Sequence, residues 1–340
     1  MKSLQKNYLG IDVSKSWFDV SILCILNDQK QAIVSERFDN TVYGLSSFKK
    51  WLFALHVSFD QNSLLVIENT GVYHRLIWGF CSKHNLQLHI GNAAHIKWSL
   101  GITRGKSDVI DCQRLCLYCF KQADELKPTP PLNPVFMKLK DLMSSRSRLV
   151  VQLHSTKNYI KELHCSSDKS LVALLNKAHK TALEGIKKSI LQIELLISNI
   201  IEEDQAIKKN YTLMKSVPGI GHLTAIYIIC CTNNFANKPS GKQLASYAGV
   251  VPFEHSSGSS IKARNRVHKM ANKDLKKMLH LCALTAIKYY PEFKQYFDRK
   301  KAEGKNGMLV LNAIRNKLIL RVVAVVNNQN PYVENLQSGA

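Results

Sequence analysis

Acidic residues are scarce in this sequence of 340 residues. Asp and Glu number 25 against 47 Lys and Arg, and the formal net charge at pH 7 is +22. Such an excess favours a polyanionic partner, because clustered cations gain free energy when they displace the counterions of phosphate groups. Nucleic acid is the first candidate for that partner, and an anionic membrane surface is the second.

Long uninterrupted apolar runs are also missing. The most apolar stretch, residues 308–326, contains Asn312, Arg315, Lys317 and Arg321, so it predicts an amphipathic helix rather than a membrane span. The first fifteen residues contain no apolar stretch of the kind found in secretory signals. The sequence therefore predicts a protein without membrane contact that is cytoplasmic and associated with the nucleoid.

The cysteines show no spacing of a disulfide framework. There are nine of them, an odd number, and we expect them to be reduced. Cys112, Cys116 and Cys119 recur at helical spacing. A metal site is one interpretation, but no fourth ligand lies nearby and the spacing matches no zinc motif. We favour a buried helix face lined with thiols.

Prolines are few, and four of the nine fall within residues 127–134 (KPTPPLNP). Such a cluster indicates a domain boundary, because proline interrupts both helices and strands. We expect residues 1–125 to form a catalytic domain, residues 126–205 a linker and a long helical arm, and residues 206–335 a C-terminal domain.

The first 122 residues carry alternating strand and helix patterns. We predict strands at residues 8–13, 17–25, 31–38, 63–68 and 86–90, and helices at residues 43–55, 70–84 and 107–122. Three strands in a meander followed by strand, helix, strand and helix is the order of ribonuclease-H-like α/β folds. The first domain is therefore predicted to be of that class.

The remainder of the chain is predicted to be mainly α-helical. Residues 136–203 alternate apolar and charged residues at helical spacing, which predicts two long helices with a break near residues 165–169. They could form a helical hairpin within one domain or a coiled-coil arm that joins two copies. The PGIG segment, residues 218–221, is similar to helix-hairpin-helix elements whose amides meet phosphate, but a plain turn between helices is an equal alternative.

Four carboxylates are candidates for a common site. Asp12 ends the first predicted strand and Glu68 the fourth, and these two strands lie side by side and parallel in ribonuclease-H-like sheets. Asp108 and Asp111 are three residues apart on a predicted helix, so both point the same way. Each acid alone has a simpler explanation as a turn residue or a helix N-cap. Two acids at strand ends together with a helix pair three residues apart form a specific arrangement, which favours a common site.

Close carboxylates repel one another unless a cation joins them. Hard oxygen ligands suit Mg²⁺ or Mn²⁺, and paired metal ions can support phosphoryl transfer. We therefore predict a catalytic metal site made of Asp12, Glu68, Asp108 and Asp111.

Half of the excess positive charge lies in about a fifth of the sequence. Residues 253–321 contain 16 Lys and Arg against five Asp and Glu. This density exceeds what solubility requires, so we favour contact with nucleic acid over solvated helix faces. The predicted phosphate-binding residues are Lys262, Arg264, Arg266, Lys269, Lys273, Lys276 and Lys277.

Six segments resemble the motifs of a known family. They are residues 10–15 (GIDVSK), 68–73 (ENTGVY), 106–111 (KSDVID), 218–221 (PGIG), 249–252 (GVVP) followed by Ser257 and Gly258, and 269–272 (KMAN). As a set they resemble the DEDD transposases of bacterial insertion sequences, relatives of Piv-type invertases with an N-terminal domain similar to the junction resolvase RuvC. Ser107 stands where the family has Thr, and Ala271 where it has Gly.

The resemblance implies a DNA recombinase that cuts and rejoins strands with the four carboxylates and a serine nucleophile. The position of that serine corresponds to Ser257. By itself, the run of serines at residues 256–260 is typical of a flexible loop. The resemblance further implies donor and target DNA as substrates, a structured guide RNA as partner, and a homo-oligomer, either a dimer or a tetramer.

Two alternatives remain open. A junction-resolving nuclease would use the four carboxylates alone, because hydrolysis needs no protein nucleophile. A non-catalytic nucleic-acid-binding protein would keep the fold without the reaction. The four carboxylates distinguish the two enzymes from the non-catalytic binding protein. The Ser257 region distinguishes the recombinase from the nuclease, because only the recombinase needs a serine nucleophile.

Overall fold

The computed structural model describes residues 5–101, 108–163, 168–257, 261–267 and 271–333, with the backbone alone for residues 253–257 and 261–266. Contacts divide the chain into two compact units, Met1–Asn133 and Pro134–Ala340. The first contains a mixed sheet with helices, and the second is mostly helical. In the part of the chain described, no helix is long and apolar enough to cross a membrane.

One six-stranded sheet forms the centre of the first unit. Its strands are β1 (Gln5–Val13), β2 (Trp17–Leu26), β3 (Gln29–Lys30), β4 (Val34–Asp39), β5 (Ser63–Glu68) and β6 (Gln87–Gly91). The order across the sheet is β3-β2-β1-β5-β6, with β4 also paired to β2. β1 runs antiparallel to β2 and parallel to β5, and β5 runs parallel to β6. The predicted parallel pairing of the first and fourth predicted strands is confirmed.

Four helices accompany this sheet. They are α1 (Val42–Ala54), α2 (Arg75–Lys83), α3 (Ala93–Ser99) and α4 (Asp108–Lys121). The helix predicted at residues 70–84 begins only at Arg75, because Gly71 adopts a φ of +79°, which a helix cannot contain. The short α3 was not predicted, since seven residues are too few to establish a helical period. Its N-cap is Asn92, whose side chain accepts a hydrogen bond from the backbone N–H of Ala94.

Helix α4 packs directly on strand β1. A Cβ atom at Gly10 would lie 2.1 Å from the backbone nitrogen of Cys116 and 2.5 Å from the carbonyl oxygen of Cys112. Because no side chain fits in that space, the two backbones approach this closely only with glycine at residue 10.

The thiols of α4 face the sheet. Cys112, Cys116 and Cys119 are fully buried, and their Sγ atoms donate to carbonyl oxygens of β1, β2 and β5 at 3.1 to 3.2 Å. Burial raises the pKa of Cys112 and Cys116 to about 12, which favours the neutral thiols that donate these hydrogen bonds. The interpretation of a buried, thiol-lined helix face is confirmed.

Among its described residues, eight helices form most of the second unit. They are α5 (Pro134–Leu163), α6 (Lys169–Glu203), α7 (Gln205–Lys215), α8 (His222–Thr232), α9 (Gly241–Tyr247), α10 (Lys273–Tyr289), α11 (Pro291–Ala302) and α12 (Gly307–Asn328). The first two are the long helices predicted from residues 136–203. The predicted break falls largely on residues 164–167, which lie outside the described residues. The N-cap of helix α6 is Asp168, whose carboxylate accepts from the backbone N–H groups of Ser170 and Leu171.

Helix α12 carries much of the core of the second unit. Ile314, Leu318, Ile319 and Val322 are fully buried, and α12 packs against α7, α9, α10 and α11. This is the apolar stretch in which the sequence predicted an amphipathic helix. One of its polar residues, Arg315, does not reach the solvent-exposed face and is only 5% exposed.

The PGIG segment forms the turn between α7 and α8. Gly219 has a φ of +79°, and a Cβ atom there would lie 2.5 Å from the carbonyl oxygen of Cys282 on α10. The glycine therefore permits both the turn and the close packing of α10. This contact favours the plainer of the two interpretations, a turn between packed helices.

The serine-rich segment contains strand residues where a loop was expected. β7 (Phe253–Ser257) pairs antiparallel with β8 (Ile261–Arg266) to form a two-stranded ribbon, in which Ser257 lies opposite Ile261. The expectation of a loop is wrong for Ser256 and Ser257, and residues 258–260 lie outside the described residues. The sequence of β8 begins with apolar and basic residues in alternation (IKAR), a pattern typical of a strand.

Gly10→Ala is expected to lower the free energy of unfolding by about 2 kcal/mol or more, because the new methyl group must push α4 away from β1. The matched control is Gly185→Ala on α6, where a Cβ atom would meet no atom within 4 Å. That change should raise the free energy of unfolding by about 0.5–1 kcal/mol through helix propensity. Urea denaturation measures both, and equal effects would contradict the role given to Gly10.

Candidate active site

Asp12 and Glu68 lie near the carboxyl ends of two neighbouring strands, at the same edge of the sheet. In the parallel pair β1–β5, Ile11 lies opposite Ile67, so the residues that follow them stand at neighbouring carboxyl ends. Both acids line one cavity of about 560 Å³. The pairing of the two strands thus brings two of the predicted carboxylates together.

Helix α4 supplies the other two acids. Asp108 and Asp111 occupy its first turn, where the positive end of the helix dipole favours carboxylates. Asp111 lines the same cavity as Asp12 and Glu68. The Asp108 side chain, one turn of helix away, is 57% exposed. Three elements, β1, β5 and α4, therefore each contribute a carboxylate to one cavity.

The acids influence one another electrostatically. Burial, followed by the negative charges of Asp108, Asp111, Glu68 and Asp19, raises the pKa of Asp12 from its usual 3.8 to about 6. Burial penalises the ionised form, and neighbouring carboxylates repel it. The pKa of Asp12 therefore reflects all four of the other acids.

Asp19 is a fifth carboxylate that the sequence analysis did not identify. It lies directly opposite Asp12 in the β1–β2 pair and is only 6% exposed. Arg37 on β4 binds it through two hydrogen bonds, Nε to Oδ1 at 2.9 Å and Nη2 to Oδ2 at 3.0 Å. Arg37 Nη2 also donates to Asp108 Oδ2 at 3.1 Å. One guanidinium group therefore ties the sheet to the first turn of α4.

A second arginine pairs with the other acid of α4. Arg114 Nη1 lies 2.9 Å from Asp111 Oδ1, one turn along the same helix. Arg114 also lines the cavity, as does Lys97 on α3. The cavity wall thus carries both carboxylates and cations.

The donor set fits a hard divalent cation, although the side chains do not surround one point. Within the described ranges, no group of three His, Cys, Asp or Glu side chains is arranged to hold a metal ion. The two acids of α4 point to Arg37 and Arg114 instead. The cavity nevertheless offers carboxylate oxygens from three elements, and these are the ligands that Mg²⁺ and Mn²⁺ prefer.

The predicted residues of the second unit lie on the ribbon and on α10. Ser257 is the last residue of β7, and β8 carries Lys262, Arg264 and Arg266. The first turns of α10 carry Lys273, Lys276 and Lys277. Lys269 lies outside the described residues.

Asn272 anchors the start of α10. Its Oδ1 accepts from the backbone N–H of Leu275 and from the hydroxyl of Tyr227, and its Nδ2 donates to the hydroxyl of Tyr247. In the sequence, Asn272 is the last residue of the KMAN motif. Its position immediately before a lysine-rich helix was a signal of an N-cap.

Two transposase family models match the chain. The model for the transposase IS116/IS110/IS902 family covers residues 211–298. A transposase model named for the DEDD domain of IS110 covers residues 9–163. The two matches together include Asp12, Glu68, Asp108, Asp111 and Ser257.

Curated relatives agree with these models. Pilin gene-inverting proteins of Moraxella bovis and Moraxella lacunata are each 27% identical over 334 residues, covering 97% of this chain and 98% of the relative. The transposase for insertion sequence element IS1328 of Yersinia enterocolitica is 28% identical over 166 residues, covering 47% of this chain and 46% of the relative.

Asp12→Asn is expected to stabilise the metal-free protein at neutral pH. The folded state holds the Asp12 proton up to about pH 6, whereas the unfolded state releases it near pH 3.8. Stability is therefore lost as the pH rises through that window, and the deficit is complete above it. The free energy of unfolding of the variant should exceed that of the wild type by about 1–3 kcal/mol at pH 7.5. At pH 4 the two free energies should be almost equal.

Thermal and urea unfolding in the presence of a chelator would measure this difference at both pH values. Asp298→Asn, at an exposed position of α11, removes the same charge and should leave the pH profile unchanged. A variant at residue 12 that is less stable than the wild type at pH 7.5 would show that the carboxylates are not crowded.

Proposed function

Because the chain belongs to the IS110/IS116/IS902 family of insertion-sequence transposases, we propose that it cuts and rejoins DNA with a DEDD metal site and a serine nucleophile. The metal site would consist of Asp12, Glu68, Asp108 and Asp111, and the nucleophile would be Ser257. The observation that carries the proposal is the single cavity to which β1, β5 and α4 each contribute a carboxylate. The order of the strands supports a ribonuclease-H-like, RuvC-like catalytic domain.

The four acids would hold Mg²⁺ or Mn²⁺, which when bound stabilises negative charge on the attacking and leaving oxygens of a phosphodiester. Asp12, Glu68 and Asp111 already face the cavity. Lys97 and Arg114 line it too, and would bind the non-bridging oxygens of the phosphate group and orient it for attack. Arg37 would keep Asp108 and the start of α4 in position through Asp19.

Ser257 would attack the phosphorus atom of the strand to be cut. A bond from Oγ to phosphorus forms while the bond from phosphorus to one DNA oxygen breaks. The serine hydroxyl gives up its proton, and the departing oxygen takes up one. Attack by a new DNA hydroxyl then reverses the step and rejoins the strand. The β7–β8 register supports this role, because Ser256 lies opposite Lys262 and basic residues therefore accompany the serine.

The basic residues would bind nucleic-acid backbone. Arg264 and Arg266 continue β8 after Lys262, Lys269 follows the ribbon, and α10 begins with Lys273, Lys276 and Lys277. Phosphate contacts of this kind position a duplex without reading its sequence. We propose donor and target DNA as substrates and a structured guide RNA, paired with both, as the source of sequence specificity.

Assembly of at least two copies would bring two DNA segments together. Helices α5 and α6 carry apolar side chains that stay 62–65% exposed, namely Val151, Leu174, Leu191 and Leu195. Such residues on a long helical arm favour contact with another copy of the same arm. We propose a dimer or a tetramer as the active form.

Site-specific inversion is a second candidate for the DNA rearrangement. Both pilin gene-inverting proteins align over 97% of this chain, whereas the IS1328 transposase aligns over 47%. The cutting and joining steps would be the same, and only the arrangement of the two DNA sites would differ.

Asp12→Asn and Asp111→Asn are expected to abolish Mn²⁺ binding, because each removes one charged oxygen donor from the site. Isothermal titration of the metal-free protein with Mn²⁺ measures this. Glu36→Gln, an exposed acid on strand β4, is the control and should bind Mn²⁺ like the wild type. Equal binding by all variants would rule out a metal site at these carboxylates.

Ser257→Ala is expected to abolish strand exchange while leaving nucleic-acid binding intact, because only the attacking oxygen is lost. Denaturation during the reaction should trap a protein–DNA adduct, which mass spectrometry can map to Ser257. Ser256→Ala is the matched control and should retain both strand exchange and the adduct.

Other outcomes would correct the assignment. An adduct on Ser256 or Ser259 would move the nucleophile to that residue. Full strand exchange by Ser257→Ala with no adduct anywhere would favour the alternative of a nuclease that uses carboxylates alone. If no preparation cuts DNA in the presence of a metal ion, although each preparation binds nucleic acid, the result would favour a non-catalytic binding protein.

A further inference from the structure

Arg315 on α12 is a buried cation that has no acidic partner among the residues the structure describes. It is 5% exposed, and no carboxylate in the described part of the chain forms an ion pair with it. Its Nε is buried and has no hydrogen-bond partner there. Burying a charge in this way costs free energy unless an opposite charge compensates it. An anion supplied from outside the chain would provide that compensation.

His280 on α10 faces the same guanidinium. Arg315 Nη2 lies 2.7 Å from His280 Nδ1. A guanidinium nitrogen can only donate, so Nδ1 must accept and the ring hydrogen must reside on Nε2. Burial, and then the charge of Arg315, lowers the pKa of His280, which keeps the ring neutral. In the described part of the chain, nothing accepts the Nε2 hydrogen, so it remains available to a ligand.

Lys276 completes the cluster. It precedes His280 by four residues on α10, so the two side chains share a helix face. Burial, and then the charge of Arg315, lowers the pKa of Lys276. The two cations therefore lie near enough to repel each other, and a bound anion would turn that repulsion into attraction.

We infer that Lys276, His280 and Arg315 bind one phosphodiester group of a nucleic-acid backbone, with His280 donating its Nε2 hydrogen to a phosphate oxygen. The inference rests on the proposed function, in which nucleic acid covers the start of α10. Lys276 is one of the predicted contacts, whereas His280 and Arg315 lie outside the predicted set.

The site is connected to the ribbon that carries Ser257. Asn312, one turn before Arg315 on α12, donates to the carbonyl oxygen of Val250 at 2.7 Å. Val250 lies three residues before the start of β7. The helix that holds the phosphate site therefore also anchors the chain that enters the ribbon, so a phosphate bound here would position the strand relative to that ribbon.

Two substitutions of His280 separate packing from phosphate binding. His280→Asn retains an acceptor for Arg315 near the Nδ1 position but lacks the outward donor. His280→Gln places an amide N–H near the Nε2 position but loses the inner acceptor. We expect His280→Asn to weaken binding about tenfold and His280→Gln to bind nearly like the wild type. Equal affinity of His280→Asn and wild type would overturn the inference.

The salt dependence of binding tests the charge of Arg315. Arg315→Met should reduce the slope of log Kd against log salt by about one unit on duplex DNA, because one phosphate contact is lost. Arg321→Met is the matched control, since Arg321 is on the same helix and is already paired with Glu292. Equal slopes for the two variants would also overturn the inference. If Arg315→Met does not fold, the comparison of His280→Asn with His280→Gln decides the inference.

Fluorescence anisotropy with two probes identifies the source of the phosphate. One probe is a DNA duplex with about 30 nucleotides in each strand, and the other is an RNA hairpin of about 30 nucleotides. Both are long enough for several phosphate contacts. The probe whose slope falls in Arg315→Met occupies the site, and no fall with either probe refutes the site. If the wild type binds neither probe, the proposed function fails. If it binds but the variants match it, this inference alone fails.

Discussion

Gly10 leaves room for the backbone of α4 to touch strand β1, and three thiols on α4 donate to carbonyl oxygens of the sheet. This contact determines where the first turn of α4 lies relative to the carboxyl ends of β1 and β5. Asp108 and Asp111 are therefore positioned by this packing as well as by their ion pairs with Arg37 and Arg114. A carboxylate cluster needs such support, because its members repel one another.

The arginines around the cluster compensate for that repulsion only in part. Arg37 and Arg114 neutralise the acids of α4, while Asp12 keeps a pKa raised to about 6. The first unit thus tolerates an unfavourable charge arrangement that a more stable protein would avoid. Such a sacrifice of stability is typical of sites shaped for binding or catalysis.

Sequence periodicity predicted the elements that carry long, regular patterns. The parallel strands ending in Asp12 and Glu68 and the two long helices of the second unit were recognisable, because periods of 2 and 3.6 residues are local properties. The pairing of Asp19 with Arg37 was not recognisable from the sequence, since it depends on the register between strands. The ribbon was not predicted, because its serines are typical of loops. Arg315 looked like a solvent-exposed interruption of an apolar helix, because burial of a cation is a property of the whole fold.

The ribbon of β7 and β8 would affect the order of events in the proposed reaction. Two strands alone have little intrinsic stability in water, and they gain it when a third surface covers them. A nucleophile at the end of β7 would take its final position only once nucleic acid lies on the basic strand β8. The chain would then be unable to cut before the complex is assembled, and the ribbon would act as a safeguard against breaks at unpaired or incomplete sites.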